Sequence, residues 1–191
     1  MQVVIVNSEQ QVAKYGAQYC AQFLTQQNTA TLGLATGSTP LSLYQELINR
    51  YREGTLSFAA VTSFNLDEYI GITEEHPQSY RYFMNQKLFN HIDINKDNTY
   101  IPIGIGDPHA SALEYEKRLK ELGGIDLQIL GIGSNGHIGF NEPSSSLASR
   151  TRVKTLTTQT INDNSRFFTD DEFQPSLAIT MGIATIMEAK Q

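Results

Sequence analysis

Short, β-branched apolar runs alternate along this chain with longer segments whose apolar residues recur at helical spacing, and that alternation restricts its fold more than any other feature. The strand-like runs are Gln2 to Val6, Thr31 to Thr36, Val61 to Phe64, Tyr100 to Ile103, Leu127 to Ile132 and Thr151 to Thr157. Val12, Gly16, Tyr19 or Cys20, and Phe23 recur at helical spacing, and Leu41, Tyr44, Leu47 or Ile48, and Tyr51 mark a second amphipathic helix. Tyr80, Phe83 and Leu88, and later Ala112, Tyr115, Leu119 and Leu122, follow the same rule. Strands separated by helices predict an α/β fold, an open, mostly parallel sheet with helices on both faces. The run LQILGI is apolar at nearly every position, as a strand covered on both sides requires. No repeat or compositional shift marks a linker, so residues 1–191 read as a single domain. Ile179 to Met187 reads as a strand entering a helix, with Gln191 following soon after. An α/β chain ordinarily returns to the sheet at that point, so a longer parent protein is expected.

Composition narrows the function classes. The 14 Lys and Arg against 20 Asp and Glu leave a net charge of −6 and no basic tract. Phosphate neutralisation needs clustered cations, so a nucleic-acid partner is not expected. The lone cysteine, Cys20, cannot form an internal disulfide, which suits a reducing compartment. No apolar run is long enough to span a bilayer, and MQVVIVNSEQ lacks the pattern of a signal peptide. A cytoplasmic protein without membrane contact is the expectation.

Three segments fall where strands should end, which is where open parallel sheets bind ligands. In Ala35-Thr36-Gly37-Ser38-Thr39-Pro40, Pro40 suits the first helical position and Thr39 the N-cap. Gly37 would let backbone approach a ligand, and Thr36, Ser38 and Thr39 add hydroxyls. The loop reads either as a plain capped turn or as a phosphate cradle worked by backbone dipoles. In Phe64-Asn65-Leu66-Asp67-Glu68-Tyr69, two adjacent carboxylates follow a strand, either as solvated charges or as a placed acid or base. The third segment, Gly131 to Pro143 (GIGSNGHIGFNEP), opens with G-x-G-x-x-G. No helix-period run follows it, and no acidic residue stands about 20 positions on, so a dinucleotide site is rejected. What remains is a glycine-dense loop presenting His137 with Glu142 close behind, suited to moving a hydroxyl proton. Arg152, Lys154 and Arg166 are cations suited to a phosphate or to plain surface charge.

Together LGLATGSTPLSLY, FNLDEYIG with EEHPQSY after it, GIGSNGHIGFNEPSSSLASRTRVKTLT and NSRFF resemble the glucosamine-6-phosphate deaminase family, spread in its order from Leu32 to Phe168. The ATGSTP loop is also similar to that of 6-phosphogluconolactonases. The resemblance implies conversion of glucosamine 6-phosphate and water into fructose 6-phosphate and ammonia, without a metal or other cofactor. It implies that Asp67 carries a proton between C2 and C1, and that His137, assisted by Glu142, opens the pyranose ring. It places the phosphate at Thr36, Gly37, Ser38, Thr39 and Arg166. It further relates Ser145, Arg152 and Lys154 to an allosteric site at a subunit interface in some relatives. The substrate sugar phosphate is thus the expected small-molecule partner, and self-association is left open. Asn135 departs from the G-x-D-G-H form of many relatives; it can orient His137 or a sugar hydroxyl but cannot act as a base. A second departure is at the ending, where relatives continue with another strand and a phosphate-contacting Lys loop. Two competing classes remain: a sugar-phosphate sensor without turnover, and a lactonase-like hydrolase sharing only the phosphate loop.

Overall fold

The computed structural model describes residues 2–157, 161 and 173–191. Four parallel strands form the central sheet: β1 (Thr31–Leu34), β2 (Thr62–Asn65), β4 (Thr99–Tyr100) and β5 (Leu127–Gln128). Their order is β4-β2-β1-β5, so the chain builds outward from β1 to one side and then crosses to the other. The order therefore reverses between β1 and β5, the crevice where such sheets hold ligands. Helices α1 (Glu9–Gln26), α2 (Leu41–Arg52), α3 (Tyr80–Lys87), α4 (Pro108–Glu121) and α5 (Ile183–Met187) flank the sheet.

Three apolar clusters account for the packing, two of them against the parallel sheet. Leu32 and Leu34 of β1 join Ala17, Cys20 and Leu24 of α1, Tyr44, Leu47 and Ile48 of α2, and Met84 of α3. Phe64 and Leu66 join Tyr115 and Leu119 of α4 and Ile186 of α5. Phe64 is fully buried, stacked on Tyr100 at 4.8 Å and edge-on to Tyr115 at 5.4 Å. The mostly parallel α/β architecture is that read from the alternation.

A second sheet was not expected. Strands β3 (Asp67–Tyr69), β7 (Leu177–Thr180) and β6 (Arg152–Thr155) form an antiparallel sheet in the order β3-β7-β6. Strand periodicity marks where a strand runs but not which sheet it joins. The Gln2 to Val6 run forms no strand; Val3 and Ile5 stand exposed, with no strand among the described residues pairing with them. At the other end the chain does return to the parallel sheet. Lys190 N–H donates to Ile125 O (3.0 Å), Gln191 N–H to Asp126 O (3.1 Å), and Gln128 N–H to Gln191 O (2.8 Å).

Asp126 fastens this edge. Its carboxylate accepts the Thr31 N–H at 2.8 Å and the Lys190 ammonium at 2.6 Å. Burial works to raise its pKa, but Lys190, the Thr31 N–H and Gln27 together hold it below the ordinary carboxylate range. A depressed carboxyl stabilises the fold above the unfolded pKa and loses that contribution as pH falls through the folded one. Asp126→Ala should therefore cost about 2 kcal/mol at pH 7, since it strands a buried N–H. Denaturant titrations should show the gap between variant and wild type narrowing in acid; an unchanged gap would contradict the assignment.

Candidate active site

The segments that follow β1, β2 and β5 meet over the crevice around a cavity of about 210 Å³. Its lining includes Thr36 and Thr39 from the loop after β1, Leu66 and Asp67 where β2 continues into β3, and Gly133, His137 and Phe140 from the loop after β5. Three segments far apart in sequence thus contribute to one site, as strand ends in a parallel sheet must.

Asp67 and Glu68 divide their duties by strand alternation. Both are buried, yet Asp67 faces the cavity while Glu68 points into the start of α3. There Glu68 accepts the N–H groups of Tyr69 (2.9 Å), Tyr80 (2.9 Å) and Arg81 (3.0 Å). Burial, and after it the Glu68 charge, push the Asp67 carboxyl up to about 8. Burial also raises Glu68, to about 7, against the three N–H bonds that favour its anion. Glu68 is a structural anchor, and Asp67 is the carboxylate with access to a ligand.

Across the cavity lies His137. Its ring packs over Gly133, where an added Cβ would overlap the imidazole. That explains the second glycine of the G-x-G-x-x-G pattern: it admits an imidazole where a dinucleotide fold would admit a pyrophosphate. Gly139, at φ +57°, closes the loop onto Asp67; a Cβ there would lie 3.0 Å from both Asp67 Oδ2 and Thr180 Oγ1. Asn141 clamps the loop by donating to Ile138 O (2.9 Å) and Met181 O (2.8 Å).

Glu142 does not reach His137 directly. Asn135 stands between them, donating from Nδ2 to Glu142 Oε2 (2.8 Å) and placing Oδ1 2.7 Å from His137 Nδ1. The contact between Glu142 and His137 therefore runs through the Asn135 amide. Neither Asn135 nor Glu142 lines the cavity itself.

The Thr36–Thr39 loop is anchored by the Tyr44 hydroxyl, which donates to Ala35 O at 2.5 Å. Gly37 holds φ +94°, in the left-handed region that favours glycine. Helix α2 begins at Leu41 with Pro40 preceding it in helical geometry and no side-chain cap, so Thr39 is not the expected N-cap. Ser8, Ser79 and Asp107 do cap α1, α3 and α4. Thr36 and Thr39 line the cavity with Asp67, whereas Ser38 opens onto a neighbouring groove and Gly37 lines neither. Arg166 lies outside the described residues. Arg152 and Ser145 do meet, at 3.4 Å, and Lys154 follows two residues on along β6.

Sequence reading missed Tyr80. It lines the cavity, its hydroxyl donates to that of Tyr69 at 3.2 Å, and its side chain also bonds Thr36. The available signal was its place directly after Ser79, the N-cap of α3, which fixes where the first helical side chain points. Burial raises its pKa well above the phenolic range, so it stays a neutral hydroxyl at working pH. No group of three or more His, Cys, Asp or Glu among the described residues could hold a metal ion. No helix among them is long and apolar enough to cross a membrane.

A buried carboxylate and an imidazole thus share one cavity at the reversal point of a parallel sheet, the place where open α/β folds hold their ligands. Residues 6–191 match the model of the glucosamine-6-phosphate isomerases/6-phosphogluconolactonase family, and the chain belongs to that family. It is 62% identical over 192 residues to the glucosamine-6-phosphate deaminase of Colwellia psychrerythraea, covering all of this chain and 72% of that one. Against the deaminase of Hahella chejuensis it is 60% identical over 191 residues, covering 73% of that protein. A solved structure described as a monomeric glucosamine-6-phosphate deaminase superposes with a TM-score of 0.95 at 42% identity, over all of this chain and 80% of that one. The 6-phosphogluconolactonase of Trypanosoma brucei shares the fold, with a TM-score of 0.70 at 19% identity over 97% of this chain and 78% of that one.

Gly133→Ala tests the packing of the imidazole. It should lower activity on the order of 100-fold by displacing His137, because about 1 Å of misplacement is enough for that. Circular dichroism should be unchanged. Full activity in this variant would show that His137 does not depend on the close approach.

Proposed function

We propose that this chain converts glucosamine 6-phosphate and water into fructose 6-phosphate and ammonia, as a hydrolase-class deaminase of amino-sugar catabolism acting in the cytoplasm. The observation that carries this reading is one cavity holding a buried carboxylate, Asp67, opposite an imidazole, His137, beside the uncapped start of α2. Relatives at about 60% identity bear the name of this activity.

The reaction uses these groups in sequence. His137 takes the proton of the O1 hydroxyl and returns one to O5, breaking the C1–O5 bond and opening the ring. Asp67 then removes the proton from C2, giving an enolamine, and delivers it to C1, giving an imine at C2. Water adds to C2 and the C–N bond breaks, releasing ammonia and leaving the ketose. One carboxylate on one face of the enolamine serves both carbons, and burial keeps its proton from exchanging with bulk water. These steps call for no redox cofactor or metal. The phosphate is held by backbone N–H groups and hydroxyls of Thr36 to Thr39 and by Arg166, so the sugar reaches over Asp67 toward His137. Tyr80, tied to Thr36, keeps the phosphate loop in register with the strand that carries Asp67.

The primary test is release of ammonia and fructose 6-phosphate from glucosamine 6-phosphate without added metal or nucleotide; equal amounts are expected, and saturable binding without turnover would indicate a sensor. Asp67→Asn should slow ammonia release by about 100-fold or more, and undiminished release would sink the mechanism.

The pH dependence follows from the raised carboxyl. Asp67 works as a base only when ionised, so kcat/KM should climb with pH toward about 8 and level off above it. Stability runs the other way. A carboxyl raised above its unfolded value binds more protons in the folded state, so folding weakens as pH rises from the ordinary carboxylate range to about 8. Thermal melts of Asp67→Asn across that range should show a flatter slope than wild type.

A further inference from the structure

We infer that Asn135 is a positioning residue that fixes His137 in its Nδ1–H tautomer, so that Nε2 meets the sugar unprotonated, and that it couples His137 to Glu142 without placing a charge beside the ring. The inference rests on the deaminase reading only for what Nε2 does, not for the tautomer itself.

Three contacts determine the arrangement. The main-chain N–H of His137 can only donate, and it points at Asn135 Oδ1 at 3.1 Å. That atom is therefore the amide oxygen. The opposite end of the amide faces Glu142 Oε2 at 2.8 Å, an acceptor that requires the NH2 group. A flipped amide would set donor against donor at one end and acceptor against acceptor at the other. The same Oδ1 lies 2.7 Å from His137 Nδ1. An amide oxygen cannot donate, so Nδ1 carries the hydrogen. In the neutral ring the lone pair then sits on Nε2. The glycine floor at Gly133 holds the ring in this orientation.

The chemical consequence concerns how readily the ring gives its proton back. A carboxylate at the Asn135 position would stabilise imidazolium by a full charge at hydrogen-bond distance. An amide contributes only a dipole, which Glu142 polarises from behind. The ring can accept the O1 proton at Nε2 and release it to O5 without a fixed anion on Nδ1 retaining it. The titratable groups facing the ring are Asp67 and Tyr80 in the cavity, with Glu142 beyond Asn135.

The test is 15N NMR of the imidazoles in the full, substrate-free chain, with His137→Gln used to identify the ring among the four histidines. Wild type should show a protonated Nδ1 and a pyridine-type Nε2 when neutral. Asn135→Ala should mix or invert the tautomers and lower kcat on the order of 10- to 100-fold, with a smaller effect on KM. Glu142→Gln should keep the tautomer, because the new side chain still offers an oxygen to Asn135 Nδ2. Asn135→Asp should keep Nδ1–H and move both the ring titration and its limb of the pH–rate profile upward by about one unit or more. An Nε2–H tautomer in wild type, or an unchanged spectrum in Asn135→Ala, would overturn the positioning role. No upward shift in Asn135→Asp would overturn the neutral-relay part. The spectra need no turnover, so a failure here is distinct from a failure of the deaminase reading.

Discussion

At Leu66 the chain passes from one sheet into the other within a single peptide step. Its N–H donates to Leu34 O (3.2 Å), extending the parallel ladder of β1 and β2, and its C=O accepts the Met181 N–H (2.7 Å) just beyond β7. Its side chain is buried in the cluster with Phe64, Tyr115 and Ile186. The next residue, Asp67, therefore stands at the carboxyl end of β2 and opposite Thr180 in the antiparallel register. Loops are usually the mobile parts of an enzyme. Here Asp67 sits on a strand, held by the pairing of β3 with β7 and by the two bonds of Leu66 just before it.

The same strand explains why two adjacent carboxylates can be buried together. Alternation sends Asp67 and Glu68 to opposite faces, so each has its own surroundings. Glu68 is compensated by three main-chain N–H groups and the nearby Arg81 guanidinium. Asp67 is held among Leu66, Phe140 and the cavity, so desolvation dominates and its neutral form is favoured. A carboxylate held in this way is less stable ionised than an exposed one and correspondingly more basic. The energetic cost is borne by the frame: the Phe64 stack, the Asp126 edge and the Glu68 anchor lie within the two sheets that position the base.

Much of this was legible in the residues, and the rest was hidden for identifiable reasons. Strands β1, β2 and β5 and helices α1 to α4 follow from periodicity because each buries one continuous stripe. The three loops follow from their place after strands, and the cavity does unite Thr36, Thr39, Asp67 and His137. The second sheet was not legible, because β3 continues directly from β2 and pairs with residues more than 100 positions away. The first run, Gln2 to Val6, has strand composition, but composition cannot supply a neighbour to pair with. The intervening amide of Asn135 was visible as a departure from a motif, yet only geometry places it between Glu142 and His137. Tyr80 looked like one more helical apolar position, since nothing in a helical stripe tells which member opens onto a cavity.

Asparagine recurs wherever this site must hold two main-chain segments at fixed distance. Asn141 is buried, and its NH2 group satisfies both Ile138 O and Met181 O, tying the histidine loop to the end of β7. Its own Oδ1 finds no partner among the described residues. Leucine in its place would remove the side-chain donor from Met181 O and leave Ile138 O with only the Asn141 main-chain N–H, and aspartate would present acceptors to acceptors. One orphaned oxygen, costing roughly 1–3 kcal/mol, is the smaller loss. Asn65 repeats the pattern on the other flank, donating from Nδ2 to Leu34 O at 3.4 Å while its buried Oδ1 goes unpaired. These two oxygens belong to side chains next to the segments that carry Asp67 and His137. Unpartnered buried polar atoms thus occur in these connections, as they do at Ser63, Asn85 and Gln128 elsewhere in the fold. A connection made through two hydrogen bonds from one amide resists sliding in both directions, which apolar contact alone would not.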